Sequence, residues 1–275
     1  MKATLQQVLA IAQERGCAIP AFNVYNLETL MGVLEAARET GAPVIFQMYS
    51  RLFNGQEAAL MAPAILEAIQ QLETPAVFHL DHGATLNELQ RALRCGATGI
   101  MLDASSLPFA ENAAATRHAV ELCAACGVGV EGELGHVGTT KDAQMAAYTN
   151  PDEAKAFVEQ TGVAALAILV GTAHGHYKQA PVLDIARIRA IKDSTGLPLV
   201  LHGGSGVPDE QIRMAVEAGI RKVNFGTDVC CSFLDGVFAA DRSVLAVDLF
   251  MRQPVQAVKA FAIQKIKLLG ADRHG

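Results

Sequence analysis

Eight short apolar segments, bounded by glycine and proline, alternate with segments of helical periodicity along the 275-residue chain. We predict strands at residues 19–24, 43–48, 75–80, 99–102, 128–134, 166–170, 197–201 and 222–225. A helical pattern after each strand is typical of an α/β protein with a (β/α)8 TIM barrel. A doubly wound sheet usually has fewer strands and a glycine-rich fingerprint after the first one, where this chain has Asn23, Val24 and Tyr25. We therefore expect a barrel.

Both ends of the chain add helices to this pattern. Residues 4–15 predict an N-terminal capping helix that closes the bottom of the barrel, and residues 256–268 predict a C-terminal helical extension. Because α/β barrels of about 250 residues are often one domain, we expect residues 1–275 to form a single domain.

Composition argues against several classes of protein. The formal net charge is −6 and no basic cluster is present, which argues against nucleic-acid binding. No apolar segment is long and uncharged enough to span a membrane, and the N-terminus lacks the basic-then-apolar layout of a signal peptide. Six scattered cysteines indicate reduced thiols and hence a cytoplasmic protein.

Three predicted strand ends each carry one histidine: His82, His174 and His202. A lone histidine at such a place more often makes a structural hydrogen bond than a metal bond. Three of them at the carboxyl ends of barrel strands converge on the face where active sites lie, and they predict a single His₃ metal site. Asp81 directly precedes His82, so strand alternation predicts that these two side chains point to different sides. We assign His79 to the upper layer of the barrel interior.

Other strand ends carry polar residues that should meet at the same face: Asn23, Asp103, Glu133 and Asn224. Two roles remain open for Asp103 and Glu133. Each carboxylate could orient a metal-binding histidine, or it could bind the metal ion itself when the ion shifts.

Glycine-rich turns follow strands seven and eight, where barrels often bind phosphate. Gly203, Gly204 and Ser205 form the first turn, and residues 224–227 form the second. Glycine allows close approach of the backbone to an anion, and N–H groups near a helix N-terminus donate to it. Lys178 would add a positive charge at the same rim.

Seven motifs resemble those of one enzyme family. They are AFNV at 21–24, HLDHG at 79–83, DAS at 103–105, EGELG at 131–135, GTAHG at 171–175, LHGGSGVP at 201–208 and NFGT at 224–227. Together they resemble the class II, zinc-dependent ketose-bisphosphate aldolases of the fructose- and tagatose-bisphosphate type, nearly from end to end of the chain.

The resemblance implies a metal-dependent lyase that reversibly cleaves a ketose (bis)phosphate to dihydroxyacetone phosphate and an aldehyde. Asp81 would exchange a proton with the C4 hydroxyl of the ketose. The metal would spread the negative charge left on the enediolate, without a Schiff-base lysine. The resemblance allows a monovalent cation as well and implies a homodimer or homotetramer. The implied ligands of one catalytic Zn²⁺ are His82, His174 and His202, with Asp103 and Glu133 at an alternative metal position.

The resemblance also implies where the two halves of the substrate bind. Ser50 falls near the position that meets the aldehyde half, and Asn23 lies at the strand-end face. The residues implied for the dihydroxyacetone phosphate half are Gly175, Lys178, Gly203, Gly204, Ser205, Asn224, Phe225, Gly226 and Thr227.

The chain departs from the family pattern at two places. Ser106 stands where the family often has histidine. The loop after Gly138 usually carries two acids, one of which moves protons on the enediolate carbon, whereas here Asp142 is the single acid and Lys141 precedes it. We expect Asp142 to contribute little, with water or Glu131 as substitutes.

These departures leave the substrate open among fructose 1,6-bisphosphate, tagatose 1,6-bisphosphate and less common ketose phosphates. A catalytically silent paralogue that binds sugar phosphates is the other alternative, although it would be expected to lose Asp81 or a histidine first. A zinc hydrolase on the same barrel would normally carry a His-x-His motif at strand one, which Phe22, Asn23 and Val24 do not provide.

Overall fold

The structure is a computed structural model that describes residues 1–136, 148–173, 175, 177 and 179–272. Eight parallel strands form a closed barrel in which each strand pairs with the next one in the chain and the last pairs with the first. They are β1 (Ile19–Asn23), β2 (Val44–Tyr49), β3 (Ala76–Gly83), β4 (Gly99–Leu102), β5 (Gly129–Leu134), β6 (Ala165–Ile168), β7 (Leu199–Leu201) and β8 (Ile220–Phe225). The prediction of a (β/α)8 TIM barrel is confirmed.

Twelve helices of the described residues surround the barrel and close its ends. They are α1 (Leu5–Arg15), α2 (Leu27–Thr40), α3 (Ser50–Asn54), α4 (Glu57–Gln70), α5 (Leu86–Arg94), α6 (Phe109–Ala124), α7 (Pro151–Thr161), α8 (Ile185–Thr195), α9 (Asp209–Ala218), α10 (Thr227–Ala239), α11 (Val247–Phe250) and α12 (Arg252–Leu268).

Local capping explains where several helices begin. The Thr4 hydroxyl accepts from the backbone N–H of Gln7, whose side chain in turn accepts from the N–H of Thr4. Asn150 caps α7, with Pro151 at its first position. A side-chain acceptor at this position satisfies N–H groups that the helix itself cannot pair, so the sequence indicates where these helices begin.

Helix α1 closes the bottom of the barrel, as predicted. It contacts β1, β3, β4, β5 and β8. Its apolar face joins a buried cluster that fills the lower barrel interior, and this cluster includes Leu5, Val8, Leu9, Ile19, Ile45, Val77 and Val200. A larger apolar cluster lies between the strands and the outer helices. The upper interior is thus the part that carries polar side chains.

The C-terminal helix α12 packs against α2 and α10, which confirms the predicted helical extension. Within the described part of the chain, no helix combines the length and apolar composition that crossing a membrane requires.

The sequence prediction placed one helix after each strand, the last of them at residues 256–268, and so did not include α3, α10 and α11. Strand β3 also runs three residues further than predicted, so that Asp81 and His82 lie within it. Helix α10 matters most for the site, because it begins directly after β8 and directs its N-terminus to the barrel mouth.

Candidate active site

The carboxyl ends of the strands bring Asp81, His82 and His202 together at the barrel mouth. One ligand atom from each of the three lies within 4.8 Å of the others, and all three side chains are buried. Asp81 and His82 come from β3, and His202 directly follows β7. Closure of the barrel therefore makes neighbours of residues that are 120 positions apart in the chain.

The backbone at His82 departs from a regular strand. Its φ angle is 52°, and the pairing of β3 with β4 shifts register between Leu80 and Gly83. The prediction that Asp81 and His82 point to different sides is wrong, because alternation requires extended backbone at both residues. Their side chains instead lie 3.9 Å apart, from Oδ1 of Asp81 to Nε2 of His82. A positive φ is uncommon outside glycine, and residues held in such strained conformations cluster at functional sites.

Two of the three predicted metal ligands, His82 and His202, are arranged as ligands of one ion would be. Nε2 of His82 lies 3.0 Å from Nδ1 of His202. Two nitrogens bound to the same Zn²⁺ in tetrahedral geometry would lie about 3.3–3.4 Å apart, given Zn–N bonds of about 2.0–2.1 Å. The other ring nitrogen of each histidine meets a carboxylate oxygen at 2.8 Å, Asp103 for His82 and Glu131 for His202. Carboxylates in that place hold metal-binding imidazoles in position, so the donor set fits a metal ion.

The charges at the mouth favour a cation. Burial acts to lower the pKa of His82, but Asp81, the hydrogen bond to Asp103 and the charge of Glu133 outweigh it and raise this pKa to about 9. Burial lowers the pKa of His202. The carboxylates therefore stabilise positive charge at the position of the His82 ring.

A second group of ligand atoms adjoins the first and consists of His82, Asp103 and Glu133. The hydroxyl of Ser105 lies between the two carboxylates, 2.7 Å from Oδ1 of Asp103 and 2.9 Å from Oε1 of Glu133. Nδ1 of His136 is 2.9 Å from the same hydroxyl. This arrangement is compatible with both roles left open for Asp103 and Glu133, since Asp103 orients His82 and also belongs to a possible ligand group.

A buried charge cluster supports His202 from below. Oε2 of Glu131 lies 2.9 Å from Nζ of Lys222, and all three of these side chains are fully buried. Burial acts to raise the pKa of Glu131, but Lys222 and His202 outweigh it and hold that pKa far below its usual value. Glu131 is therefore placed to hold His202, and neither its position nor its pKa suits the proton donor to substrate that the sequence analysis allowed.

His79 lies in the same interior layer, as the sequence predicts. Its Nε2 is 3.6 Å from Oε2 of Glu131, and burial, followed by the charge of Lys222, lowers the pKa of His79 to about 3. The ring is thus neutral at physiological pH.

Asp81 is held by two side-chain amides, one on β1 and one on β8. Its Oδ2 accepts from Nδ2 of Asn23 at 2.8 Å and its Oδ1 accepts from Nδ2 of Asn224 at 3.2 Å. The amide oxygen of Asn23 in turn accepts from Gln47. Burial acts to raise the pKa of Asp81, yet the charges of His82, His202 and Lys222 hold it below its usual value. The carboxylate is therefore fixed in orientation and ionised at neutral pH.

A cavity of about 230 Å³ opens beside Asp81. One part of it is built by the turns after β7 and β8. Gly203 has a φ of 64°, and a Cβ there would lie 2.4 Å from the carbonyl oxygen of Ala173, so this close approach requires glycine. Helix α10 begins at Thr227 with Gly226, which has no side chain, as its N-cap, and the Ser205 hydroxyl accepts from the N–H of Asp228 in the first turn. Exposed N–H groups at a helix N-terminus form a site for anions such as phosphate.

Most predicted substrate-binding residues line this cavity: Asn23, Gly175, Gly203, Ser205, Asn224, Gly226 and Thr227, together with Asp81. Three others are placed differently. Gly204 packs close to Val223 and Asn224, Ser50 opens α3 between two lining residues, and Phe225 is buried against Phe22. His174 and Lys178, as well as Asp142 of the loop, lie outside the described residues.

Several residues at the site received no role from the sequence: Tyr25, Tyr49, Arg51, Ser105, His136 and Lys222. Lys222 precedes Asn224 by two residues in the same strand, so alternation was the available signal that Lys222 also faces the interior. Glu131 precedes Glu133 by two residues, so alternation indicated that both face the interior.

Comparison with known proteins agrees with this geometry. Residues 3–274 match the family model described as fructose-bisphosphate aldolase class-II. The structure is similar to the YdjI aldolase from Escherichia coli K12, with 34% sequence identity, a TM-score of 0.90, and coverage of 99% of this chain and 98% of that one. It also shares its fold with a fructose-bisphosphate aldolase from Campylobacter jejuni, at 23% identity and a TM-score of 0.82, covering 98% of this chain and 96% of that one.

Proposed function

Because the chain belongs to the class-II fructose-bisphosphate aldolase family, we propose that this aldolase reversibly cleaves a phosphorylated ketose to dihydroxyacetone phosphate and an aldehyde. The observation that carries the proposal is one shared cavity. It contains the ionised Asp81 beside the histidine cluster, and it also contains Ser205 and the N-terminus of α10. Cleavage of such a substrate needs a proton acceptor and an anion site in one cavity, with a cation site directly beside the acceptor.

Asp81 is the proposed acceptor of the proton from the C4 hydroxyl as the C3–C4 bond breaks. Its two amide partners, Asn23 and Asn224, fix both oxygens, and its lowered pKa keeps it ionised. In the direction of condensation, the same carboxyl group returns the proton to the C4 oxygen.

His82, His174 and His202 would hold a Zn²⁺ ion, whose chemistry when bound is that of a Lewis acid stabilising negative charge on a substrate oxygen. Asp103 and Glu131 orient two of these imidazoles. Asp103 and Glu133 are the proposed alternative position, supported by their grouping with His82.

The phosphate of the dihydroxyacetone phosphate half is proposed to bind at the turns after β7 and β8. Gly203, Ser205, Gly226 and Thr227 line that part of the cavity. The start of α10 adds the positive end of a helix dipole, and Ser205, which accepts from the N–H of Asp228, links the two turns there. Lys178 and Gly175 are proposed to complete the anion site.

Exchange of the proton at the enediolate carbon remains assigned to solvent water, with Asp142 as a minor contributor. Asp142→Asn tests this assignment by hydrogen exchange at the reactive carbon of dihydroxyacetone phosphate. A drop of about 100-fold or more, the scale of a general acid–base group, would show that the loop acid is required.

The central test is release of triose phosphate from a panel of ketose phosphates, including fructose 1,6-bisphosphate and tagatose 1,6-bisphosphate. We expect cleavage that a chelator abolishes and that Zn²⁺ restores. Full activity of metal-free protein, with a lysine adduct trapped by borohydride, would contradict the proposal. Loss of all activity on every ketose phosphate with metal present would instead support a silent paralogue.

We also propose a homodimer or homotetramer in the cytoplasm. The segment 234–249 exposes large apolar side chains, which are uncommon on the free surface of a monomer. They are Leu234, Phe238, Val244, Leu245, Val247 and Leu249. Light scattering coupled to size-exclusion chromatography tests the oligomeric state, and a monomer at micromolar concentration would contradict it.

A further inference from the structure

One wall of the cavity carries a positive charge that the proposed proton and metal chemistry does not use. Arg51 lies in the first turn of α3, immediately after β2, and lines the cavity with Tyr25 and Tyr49. Its guanidinium carbon is 5.0 Å from the ring centroid of Tyr49 and 5.8 Å from that of Tyr25. Contact with two aromatic rings restricts the side chain to this wall and leaves the hydrogen-bonding edge of the guanidinium available to a ligand.

Among the residues that the structure describes, none neutralises the charge of Arg51. Within the described part of the chain, Arg51 has no carboxylate at ion-pair distance, whereas Arg187 pairs with Asp184 at the N-cap of α8 and Arg213 pairs with an acid on α9. A cation fixed at the mouth of a cavity attracts negatively charged ligands and raises their local concentration.

Arg51 lies on the side of the cavity where the aldehyde half of the substrate would bind. Tyr49 pairs with Asp81 in the register of β2 and β3, so Arg51 lies two residues nearer the mouth than the proposed proton acceptor. The proposed phosphate site comes from β7 and β8, and β1 separates these strands from β2. A ketose held by its phosphate and by its C4 hydroxyl therefore extends its remaining carbons toward the wall of Arg51.

We propose that Arg51 is a specificity-determining residue that binds an anionic group at the far end of the aldehyde half. The group is a carboxylate or a phosphate ester, since the planar fork of a guanidinium matches both. This inference rests on the proposed cleavage of ketose phosphates and narrows the substrate class to ketoses that are ionised at both ends. A ketose 1-phosphate with a neutral far end is then a poor substrate.

The test is condensation of dihydroxyacetone phosphate with two pairs of aldehydes, each pair containing an anionic and a neutral member. D-Glyceraldehyde 3-phosphate is compared with D-glyceraldehyde, and succinic semialdehyde with butanal, so that phosphate and carboxylate are examined separately. The enzymes are the parent, Arg51→Met, Arg51→Lys and, as a control, Arg213→Met, which removes a surface arginine from α9.

We expect Arg51→Met to lower kcat/KM by about 10- to 100-fold for the preferred anionic aldehyde, the scale of a hydrogen-bonded charge. The loss should appear mainly as a higher KM. For the neutral member of the pair, kcat/KM should change by no more than about 3-fold, the size usual for changes outside a binding contact. Arg51→Lys should retain part of the preference, because it keeps the charge without the fork. In the parent, added salt should raise KM for the anionic aldehyde only.

Two results would overturn the inference while leaving the proposed function intact. One is an equal loss for anionic and neutral aldehydes in Arg51→Met, which would mean that Arg51 only packs on the tyrosines. The other is an unchanged preference in both Arg51 variants and no effect of salt. If the parent condenses none of the four aldehydes and also cleaves no ketose phosphate of the panel, the proposed function itself is wrong, and the inference falls with it.

Discussion

Removal of the buried lysine beneath the site should destabilise the fold strongly. Lys222 Nζ lies 2.9 Å from Oε2 of Glu131, and both side chains are fully buried. Lys222→Met keeps most of the volume of the aliphatic stem, so the main change is the loss of the positive charge. Glu131 then remains buried with His202 as its close partner.

The size of the effect follows from that distance. Two unit charges 2.9 Å apart attract each other by about 6 kcal/mol at an effective dielectric constant of about 20. Rearrangement or protonation of the carboxyl group recovers part of this energy. We therefore expect a loss of about 3–5 kcal/mol in the free energy of unfolding, the usual range when one member of a buried pair is removed.

Denaturant-induced unfolding in the presence of a chelator measures this effect without any contribution from bound metal. The double variant Lys222→Met, Glu131→Gln should be more stable than Lys222→Met alone, because the amide can still accept from His202 without a buried charge. Lys265→Met is the matched control: Lys265 is also buried, but its partner Asp209 is about 40% exposed and can be hydrated once the lysine is removed, so the loss should be smaller than in Lys222→Met.

A loss below about 1 kcal/mol in Lys222→Met, the scale of an exposed pair, would refute the reasoning. A double variant less stable than the single one would refute it as well, since it would show that the charge of Glu131 is not the source of the cost.

Three further predictions concern catalysis, acid stability and phosphate binding. Asp81→Ala should retain metal and fold but lose cleavage by about 100- to 10,000-fold; a fall in metal content that tracks the residual turnover would instead identify Asp81 as a ligand. The folded-state pKa of His79 is lowered to about 3, so as pH falls the unfolded protein binds a proton at this histidine before the folded protein does. The free energy of unfolding should therefore decrease between about pH 6.5 and 3, by up to about 1.4 kcal/mol per pH unit. His79→Asn should flatten that slope, and an equal slope in both proteins, measured by denaturant unfolding across this range, would contradict the assignment. Lys178→Ala should weaken the binding of a phosphorylated ketose far more than that of an unphosphorylated analogue, since a charge-assisted contact is lost. Equal increases in KM for the two would mean that Lys178 does not contact phosphate.

The sequence alone was sufficient for the architecture of the barrel. Apolar runs, glycines and prolines are local signals, and they indicated all eight strands because each strand is buried on both faces. Caps such as Thr4 and Asn150 are equally local, since they pair with N–H groups two or three residues away. Helix α3 and helix α10 were missed because they begin immediately at the end of a strand, with no capping side chain to mark them.

Part of the candidate site was also predictable from sequence. Parallel strands of a closed barrel all end on one face, so His82, His202 and Asp81 had to converge once the barrel was correct. Their detailed geometry did not follow from this rule. The turn of His82 into positive φ depends on the register shift between β3 and β4, and strand periodicity cannot anticipate it.

The tertiary structure decided which groups meet across the barrel. Lys222 and Glu131 are 91 positions apart, and their contact depends on the order and register of strands that are not adjacent in sequence. The same holds for Arg51, whose position beside Tyr25 places a charge on the cavity wall. Local patterns determine which segments form strands and helices, whereas pairings between distant side chains arise only when packing closes the barrel and removes those side chains from water.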